Sequence, residues 1–189
     1  IEAKRFASAY GLPMVEDSLE PATGEGAGTM AAELLRWPEP IETLLVALGN
    51  GAMLTGIGRW VKAYAPATQV IGVAAVGAPA MAESWRLGQI VTYDQIDTIA
   101  DGIGVRLPVP EAVADMRGTV DDVVLVRDAT IVTAMQRIHQ QLGLVVEPSG
   151  AVGVAALLED RARFQGQLVA TILCGGNLTP QQIRQWLVP

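Results

Sequence analysis

Short apolar runs rich in β-branched residues alternate along this chain with stretches in which apolar residues recur at helical spacing. Residues 11–15, 43–48, 69–73, 122–126 and 168–173 predict strands, and most of these runs are nearly continuous in apolar residues, as strands buried on both faces are. Between them the spacing predicts helices over 2–10, 28–36, 52–64, 78–87, 128–142, 149–159 and 179–187. The clearest is 128–142. Asp128 is its candidate N-cap, Ile131, Ala134, Met135, Ile138 and Leu142 fall on one face, and Gly143 supplies a stop. The alternation predicts an α/β fold, an open, mostly parallel sheet with helices on both faces. Pro38 with Pro40, and Pro108 with Pro110, punctuate loops too short to link domains, and no repeat or low-complexity tract is present. Residues 1–189 therefore read as a single α/β domain.

Composition narrows the classes of function. Half of the 189 residues are apolar, 17% are charged and 20 are glycine, which suits a core of strands covered on both sides. The net charge of −7 offers no basic field for nucleic acid or an anionic membrane, so an anionic ligand has to be held by local dipoles. Gly, Pro or a charge interrupts every apolar run well short of the roughly 18–20 residues of a membrane span. The lone Cys174 excludes an intramolecular disulfide and agrees with a cytoplasmic location. The chain opens on Ile1 without an initiator Met or a signal-peptide pattern, and the expectation is a processed chain or a fragment.

The chemistry concentrates where apolar strand patterns break into small residues. In Thr43-Leu-Leu-Val-Ala-Leu-Gly-Asn-Gly-Ala-Met-Leu-Thr-Gly-Ile-Gly58 a strand pattern runs through Gly49, Asn50, Gly51 and Ala52 into a helix pattern, the layout of a phosphate cradle. A Walker loop needs Lys-Ser/Thr after its last glycine, but Gly56 is followed by Ile57, which disfavours ATP. A dinucleotide fingerprint starting at Gly49 needs a small residue where Leu54 stands, and an acid after the next strand where the chain has Val73-Ala74-Ala75. A nucleotide-binding Rossmann-like domain therefore stays an alternative only. Three further segments supply small residues: Glu147-Pro-Ser-Gly-Ala-Val-Gly153 before an apolar helix pattern, Leu173-Cys-Gly-Gly-Asn177 at the end of an apolar strand pattern, and Ile99-Ala-Asp-Gly102. In open parallel sheets such loops converge beyond the carboxyl ends of the strands.

In order along the chain, Gly26-Ala-Gly-Thr-Met-Ala-Ala-Glu33, Gly49-Asn-Gly-Ala-Met53, Gly77-Ala-Pro-Ala-Met81, Asp97-Thr-Ile-Ala-Asp-Gly102, Asp121-Asp-Val-Val124, Glu147-Pro-Ser-Gly150 and Cys174-Gly-Gly-Asn177 resemble the fold-type II pyridoxal-phosphate enzymes, in the threonine/serine dehydratase and serine racemase branch. The resemblance covers essentially the whole chain, as the family's segment after its mobile small domain. It implies pyridoxal 5'-phosphate as cofactor, a lyase activity (β-elimination and deamination of hydroxy amino acids), a small amino-acid substrate and a homodimer. It also implies that the backbone of Gly49, Asn50, Gly51, Ala52 and Met53 takes the phosphate, although Asn50 and Ala52 stand where the family usually has Gly. Cys174 would face the pyridine nitrogen, Gly102 would line the ring and Glu147 would be the acid near ring or substrate. The residues alone leave other readings open. Cys174 also reads as a small buried apolar residue, Glu147 as a helix-terminal acid, Asp101 as a turn-fixing residue and His139 as a solvated or packing residue.

A family of this kind works through a lysine that bonds the cofactor aldehyde. The chain has two lysines. Lys62 stands ten residues into the helix that starts at the cradle, about 15 Å along its axis, and Lys4 lies on an amphipathic surface helix. The resemblance thus implies the C-terminal part of a longer two-domain subunit, inactive alone. Ala74 and Ala75 stand where metal-activated members tend to carry an acid, and a single His and a single Cys disfavour zinc, so no metal is expected. A noncatalytic domain that binds a small anion or another subunit is the competing reading.

Overall fold

In the computed structural model, which describes residues 2–16 and 19–188, the elements follow the order α1 (Glu2–Tyr10), α2 (Pro21–Leu34), β1 (Thr43–Ala47), α3 (Ala52–Tyr64), β2 (Gln69–Ala75), α4 (Ala80–Leu87), a one-turn 3-10 helix (Asp101–Ile103), α5 (Pro110–Asp115), β3 (Asp122–Val126), α6 (Asp128–Leu142), α7 (Pro148–Glu159), β4 (Val169–Thr171) and α8 (Pro180–Trp186). Ile1, on which the processed-chain expectation turned, lies outside the described residues. The four strands form one parallel sheet in the order β3-β2-β1-β4. The fold is the α/β class that the alternation predicts. No helix among the described residues is long and apolar enough to cross a membrane.

Why the strands read as unbroken apolar runs is visible in where their side chains go. Leu44, Val46 and Leu48 point to one face, where Leu54, Ile57 and Val61 of α3, Met81 of α4, Val113 of α5 and Met116 at its C-cap cover them. Leu45 and Ala47 point to the other face, against Ile131, Ala134 and Met135 of α6 and Ala151, Val152 and Ala155 of α7. A central strand with two covered faces cannot alternate polar with apolar, and all five residues of β1 are buried. The fully buried Leu44 and Leu45 each contribute about 1.5–3 kcal/mol from the apolar surface they remove from water.

The strand order matters most for function. From β1 the chain steps to β2 and then β3 on one side, and only later places β4 on the opposite side of β1. Between β1 and β4 the direction of winding reverses, and crossovers leave opposite faces of the sheet. That opens a crevice beyond the carboxyl ends of these two strands.

Several expectations need correction. Residues 11–15 form no strand: Leu12, Met14 and Val15 are exposed, Pro13 lacks a donor for a ladder, and no strand among the described residues pairs with them. Helix α2 starts seven residues before position 28, because Pro21 opens it at its first position and its contact surface is made by small residues rather than an apolar stripe. Pro110 likewise starts α5 where the prolines read as loop punctuation. Asp128 is the first helical residue of α6 and not its N-cap, and Leu142 is exposed rather than part of the core stripe. Gly143 ends α6 at φ +69°, as its position in the sequence predicts.

Candidate active site

The cleft at the reversal point is built from four loops. The first leaves β1 and enters α3. Gly51 is the N-cap of α3 at φ +103° and ψ −15°, a conformation that costs a residue with a Cβ about 1–2 kcal/mol. The turn is tied by Thr55, whose backbone N–H and hydroxyl both donate to the Gly51 carbonyl at 2.9 and 3.0 Å. Early amides of a helix have no acceptor within it and carry its positive pole, so this turn is suited to an anion. The Asn50 side-chain oxygen accepts from Ala52 N–H at 3.4 Å, a long bond that an anion can outcompete.

The second loop carries Asp101, Gly102 and Ile103 as the 3-10 turn. It lies directly on the first: a Cβ on Gly49 would stand 3.4 Å from Ile103 Cα and 3.5 Å from the Gly102 carbonyl. The third enters α7 at Glu147, Pro148 and Ser149, and the fourth leaves β4 through Cys174 and Gly175. Gly175 sits at φ +75°, and a Cβ there would overlap the Glu147 carboxyl group. Glu147 thus fills the space between two glycines, because a Cβ on Gly102 would also come within 3.4 Å of its Oε1. Its carboxylate does not cap α7. Glu147 Oε2 instead accepts the Asn177 N–H at 3.0 Å, and Glu147 N–H donates to the Gly175 carbonyl at 3.2 Å.

These loops enclose a cavity of about 440 Å³, lined by all eight residues singled out in the sequence: Gly49, Asn50, Gly51, Ala52, Met53, Gly102, Glu147 and Cys174. Burial pushes the Cys174 thiol above its ordinary range, and the neighbouring Glu147 charge pushes it in the same direction. Cys174 therefore presents a neutral S–H to the cleft at physiological pH. Among the described residues Asp101 and Glu147 are the charged groups of the lining and no lysine or arginine reaches it, so backbone dipoles are the available partners for an anion.

Other lining residues received no role in the sequence reading, although Ala27, Ser149 and Gly175 stand inside its quoted segments. Ser149 is 4% exposed and its hydroxyl oxygen has no hydrogen-bond partner, a buried polar group that ordinarily costs free energy unless something satisfies it. Its signal was its place two residues after Glu147 at a helix start. Gly175 was signalled by the paired glycines after β4, and Thr23 and Ala27 enter from α2, whose first turns the sequence pattern missed.

Both lysines lie elsewhere. Lys62 Nζ pairs with Asp121 at 2.5 Å and donates to the Thr68 carbonyl at 3.0 Å, at the amino ends of β2 and β3, across the sheet from the cleft. Lys4 Nζ pairs with Glu16 at 2.6 Å on the surface. His139 Nδ1 lies 3.3 Å from the Leu144 carbonyl near the end of α6, away from the cleft. Among the described residues no group of three His, Cys, Asp or Glu side chains is arranged to hold a metal.

A phosphorylated heterocycle fits this donor set. The cavity lies within the range of small-molecule sites, its glycines permit close backbone approach, and a thiol and an orphaned hydroxyl offer neutral polar partners. Comparison with known proteins points the same way. Residues 1–175 match the model of a family described as pyridoxal-phosphate dependent enzyme. The chain is 34% identical over 175 residues to an L-threo-3-hydroxyaspartate ammonia-lyase of a Pseudomonas species, an alignment covering 93% of this chain and 55% of that protein. It is 33% identical over 186 residues to a serine racemase of Oryza sativa, covering 93% of this chain and 53% of that one. The solved structure of the processed form of threonine deaminase isoform 2 from Solanum lycopersicum superposes with a TM-score of 0.88 at 27% identity, over 96% of this chain and 50% of that one. The chain thus spans about half the length of these relatives. A match over nearly its whole length, together with the fold, shows that the chain belongs to the pyridoxal-phosphate-dependent enzyme family.

Proposed function

We propose that the cleft holds pyridoxal 5'-phosphate and serves a threonine/serine dehydratase-like lyase, which eliminates the β-hydroxyl of a small hydroxy amino acid and releases its nitrogen. The observation that carries this reading is the convergence of all eight residues predicted from the sequence at the reversal point between β1 and β4. In this assignment Gly49, Asn50, Gly51, Ala52 and Met53 hold the phosphate through their backbone, Gly102 and Glu147 border the ring, and Cys174 meets its nitrogen. When bound, the cofactor supplies an electron sink for bonds at the amino-acid α-carbon. The neutral Cys174 thiol adds no charge at the ring nitrogen, which keeps that sink moderate and suits loss of a β-hydroxyl better than demanding carbanion chemistry.

Neither Lys4 nor Lys62 lines the cleft: Lys62 reaches Asp121 and the Thr68 carbonyl at the amino ends of β2 and β3, and Lys4 pairs with Glu16 on the surface. The lysine of the working enzyme therefore comes from polypeptide outside these 189 residues, and the chain acts as the C-terminal, cofactor-holding part of a longer subunit. By itself it is inactive. We also read the working assembly as a cytoplasmic homodimer. A single mass of one chain across a wide concentration range in light scattering removes the dimer from this reading.

Equilibrium dialysis tests the ligand. The expected result is saturable uptake of about one pyridoxal 5'-phosphate per chain, with pyridoxal, ATP and NAD at least tenfold weaker, since the phosphate contacts supply much of the affinity and the loop lacks both nucleotide patterns. Equal uptake of pyridoxal and its phosphate overturns the phosphate assignment, and preference for ATP or NAD restores the nucleotide alternative.

A further inference from the structure

We infer that Asp128, which does not line the cleft, is the positioning residue for the cleft's second loop. The inference rests on the reading of the cleft as the cofactor site. Asp128 opens α6 just past the end of β3, and a first-turn acid there would ordinarily be spent on its own helix. Here the carboxylate turns away from α6. One oxygen accepts the Thr98 hydroxyl at 2.6 Å, and the other accepts the Ile99 backbone N–H at 2.9 Å. Thr98 Oγ1 in turn accepts the Ala100 N–H at 3.1 Å, so one carboxylate organises three consecutive residues.

Those residues need an outside anchor. From Gly88 to Val109 the backbone is irregular except for the 3-10 turn, and it lacks a ladder to fix its height above the sheet. A second anchor lies at Gly77 after β2: its carbonyl accepts the Asp97 N–H at 2.9 Å, and a Cβ on Gly77 would overlap the Asp97 carbonyl. Immediately beyond Ala100 come Gly102 and Ile103, which rest on Gly49, and Gly102 also rests on Ser149 and Glu147. The loop is therefore the piece against which both the cradle and the α7 entrance close. Charge-assisted hydrogen bonds are among the stronger ones, so losing both Asp128 acceptors releases the loop without removing anything that touches a ligand.

The test compares Asp128→Ala and Asp128→Asn with Lys62→Met, which breaks an ion pair at the opposite, amino end of the strands. Three quantities are read: unfolding midpoint in denaturant, amide exchange over residues 97–104, and the dissociation constant for pyridoxal 5'-phosphate. Asp128→Ala is expected to speed exchange at Ile99 and Ala100 by about tenfold or more and to weaken cofactor binding by about tenfold, the size expected for lost bonds to a charged acceptor. Asp128→Asn, which keeps an acceptor oxygen, should restore binding to within about threefold. Lys62→Met should lower the midpoint while leaving exchange over 97–104 and binding unchanged. If Asp128→Ala does not fold, Thr98→Val removes the hydroxyl that links Asp128 to the Ala100 N–H, leaves the Asp128–Ile99 bond in place, and is read in the same way. Unchanged exchange at 97–104, or equal binding loss in Asp128→Ala and Lys62→Met, overturns the inference. If the unsubstituted protein takes up no cofactor, the cleft reading fails instead, and the exchange measurement alone decides whether Asp128 holds the loop.

Discussion

Gly51 concentrates the demands of the cradle in one residue. A Cβ there would find room, 3.5 Å from Met81 Cε, so the cost of Gly51→Ala lies in backbone conformation and not in packing. That cost is about 1–2 kcal/mol, which lowers the melting temperature of a chain of this size by roughly 2–8 °C and should be seen in thermal unfolding followed by circular dichroism. Cys174 supports a second residue-level prediction. Because burial and the Glu147 charge both raise its thiol, alkylation by iodoacetamide at pH 8 should be slower than for a free thiol and should climb only at higher pH. Glu147→Gln removes the like charge, lowers the thiol back toward its ordinary range and should speed alkylation at pH 8. The sign for stability follows: the fold favours the protonated thiol, so its contribution is complete below the ordinary thiol pKa and is lost as pH rises through the folded value.

Among the elements, the contact between α2 and α3 is made by glycines. A Cβ on Gly56 of α3 would overlap the Gly24 carbonyl of α2, and one on Gly28 would stand 3.3 Å from the Gly56 carbonyl. Gly56→Ala should destabilise the protein by about 1–3 kcal/mol through overpacking. Gly26, exposed in α2 with nothing near its missing Cβ, is the contrast, and Gly26→Ala should stabilise by about 0.5–1 kcal/mol. Denaturant titration of the two variants measures both. The same contact explains why the sequence misplaced the start of α2: Pro21-Ala-Thr-Gly-Glu-Gly26 has no apolar stripe to follow, since small residues let the two helices approach. By contrast β1 and β2 start at Thr43 and Gln69, where the sequence placed them, because strands covered on both faces carry apolar runs that begin directly after a single polar residue. A run of similar composition at 11–15 was not a strand, since a strand depends on a neighbour that a local pattern does not contain. The side chain of Asp128 was misassigned for a related reason: its partners stand thirty residues earlier, and a helix-start acid looks the same whether it caps or reaches elsewhere.

For the molecule as a whole, the strand order turns scattered loops into one site. Glycine-rich segments near positions 50, 102 and 175 and the acid at 147 are far apart in sequence, and each alone is compatible with an ordinary turn. The reversal between β1 and β4 brings them around a single cavity, and the eight residues chosen from the sequence meet there. The orphaned Ser149 hydroxyl was beyond reach of sequence reasoning, because a missing hydrogen-bond partner is a property of assembled surroundings. The central claim, that the backbone of residues 49–53 receives the phosphate of pyridoxal 5'-phosphate, is tested most directly by amide chemical shifts of the isotopically labelled protein during titration with that cofactor. The account predicts saturable shifts concentrated at residues 49–53, 102 and 174–175, with those at 49–53 reproduced by inorganic phosphate at higher concentration. Shifts confined to the surroundings of Lys4 and Lys62, the amines an aldehyde would meet by chance on the surface, would contradict it.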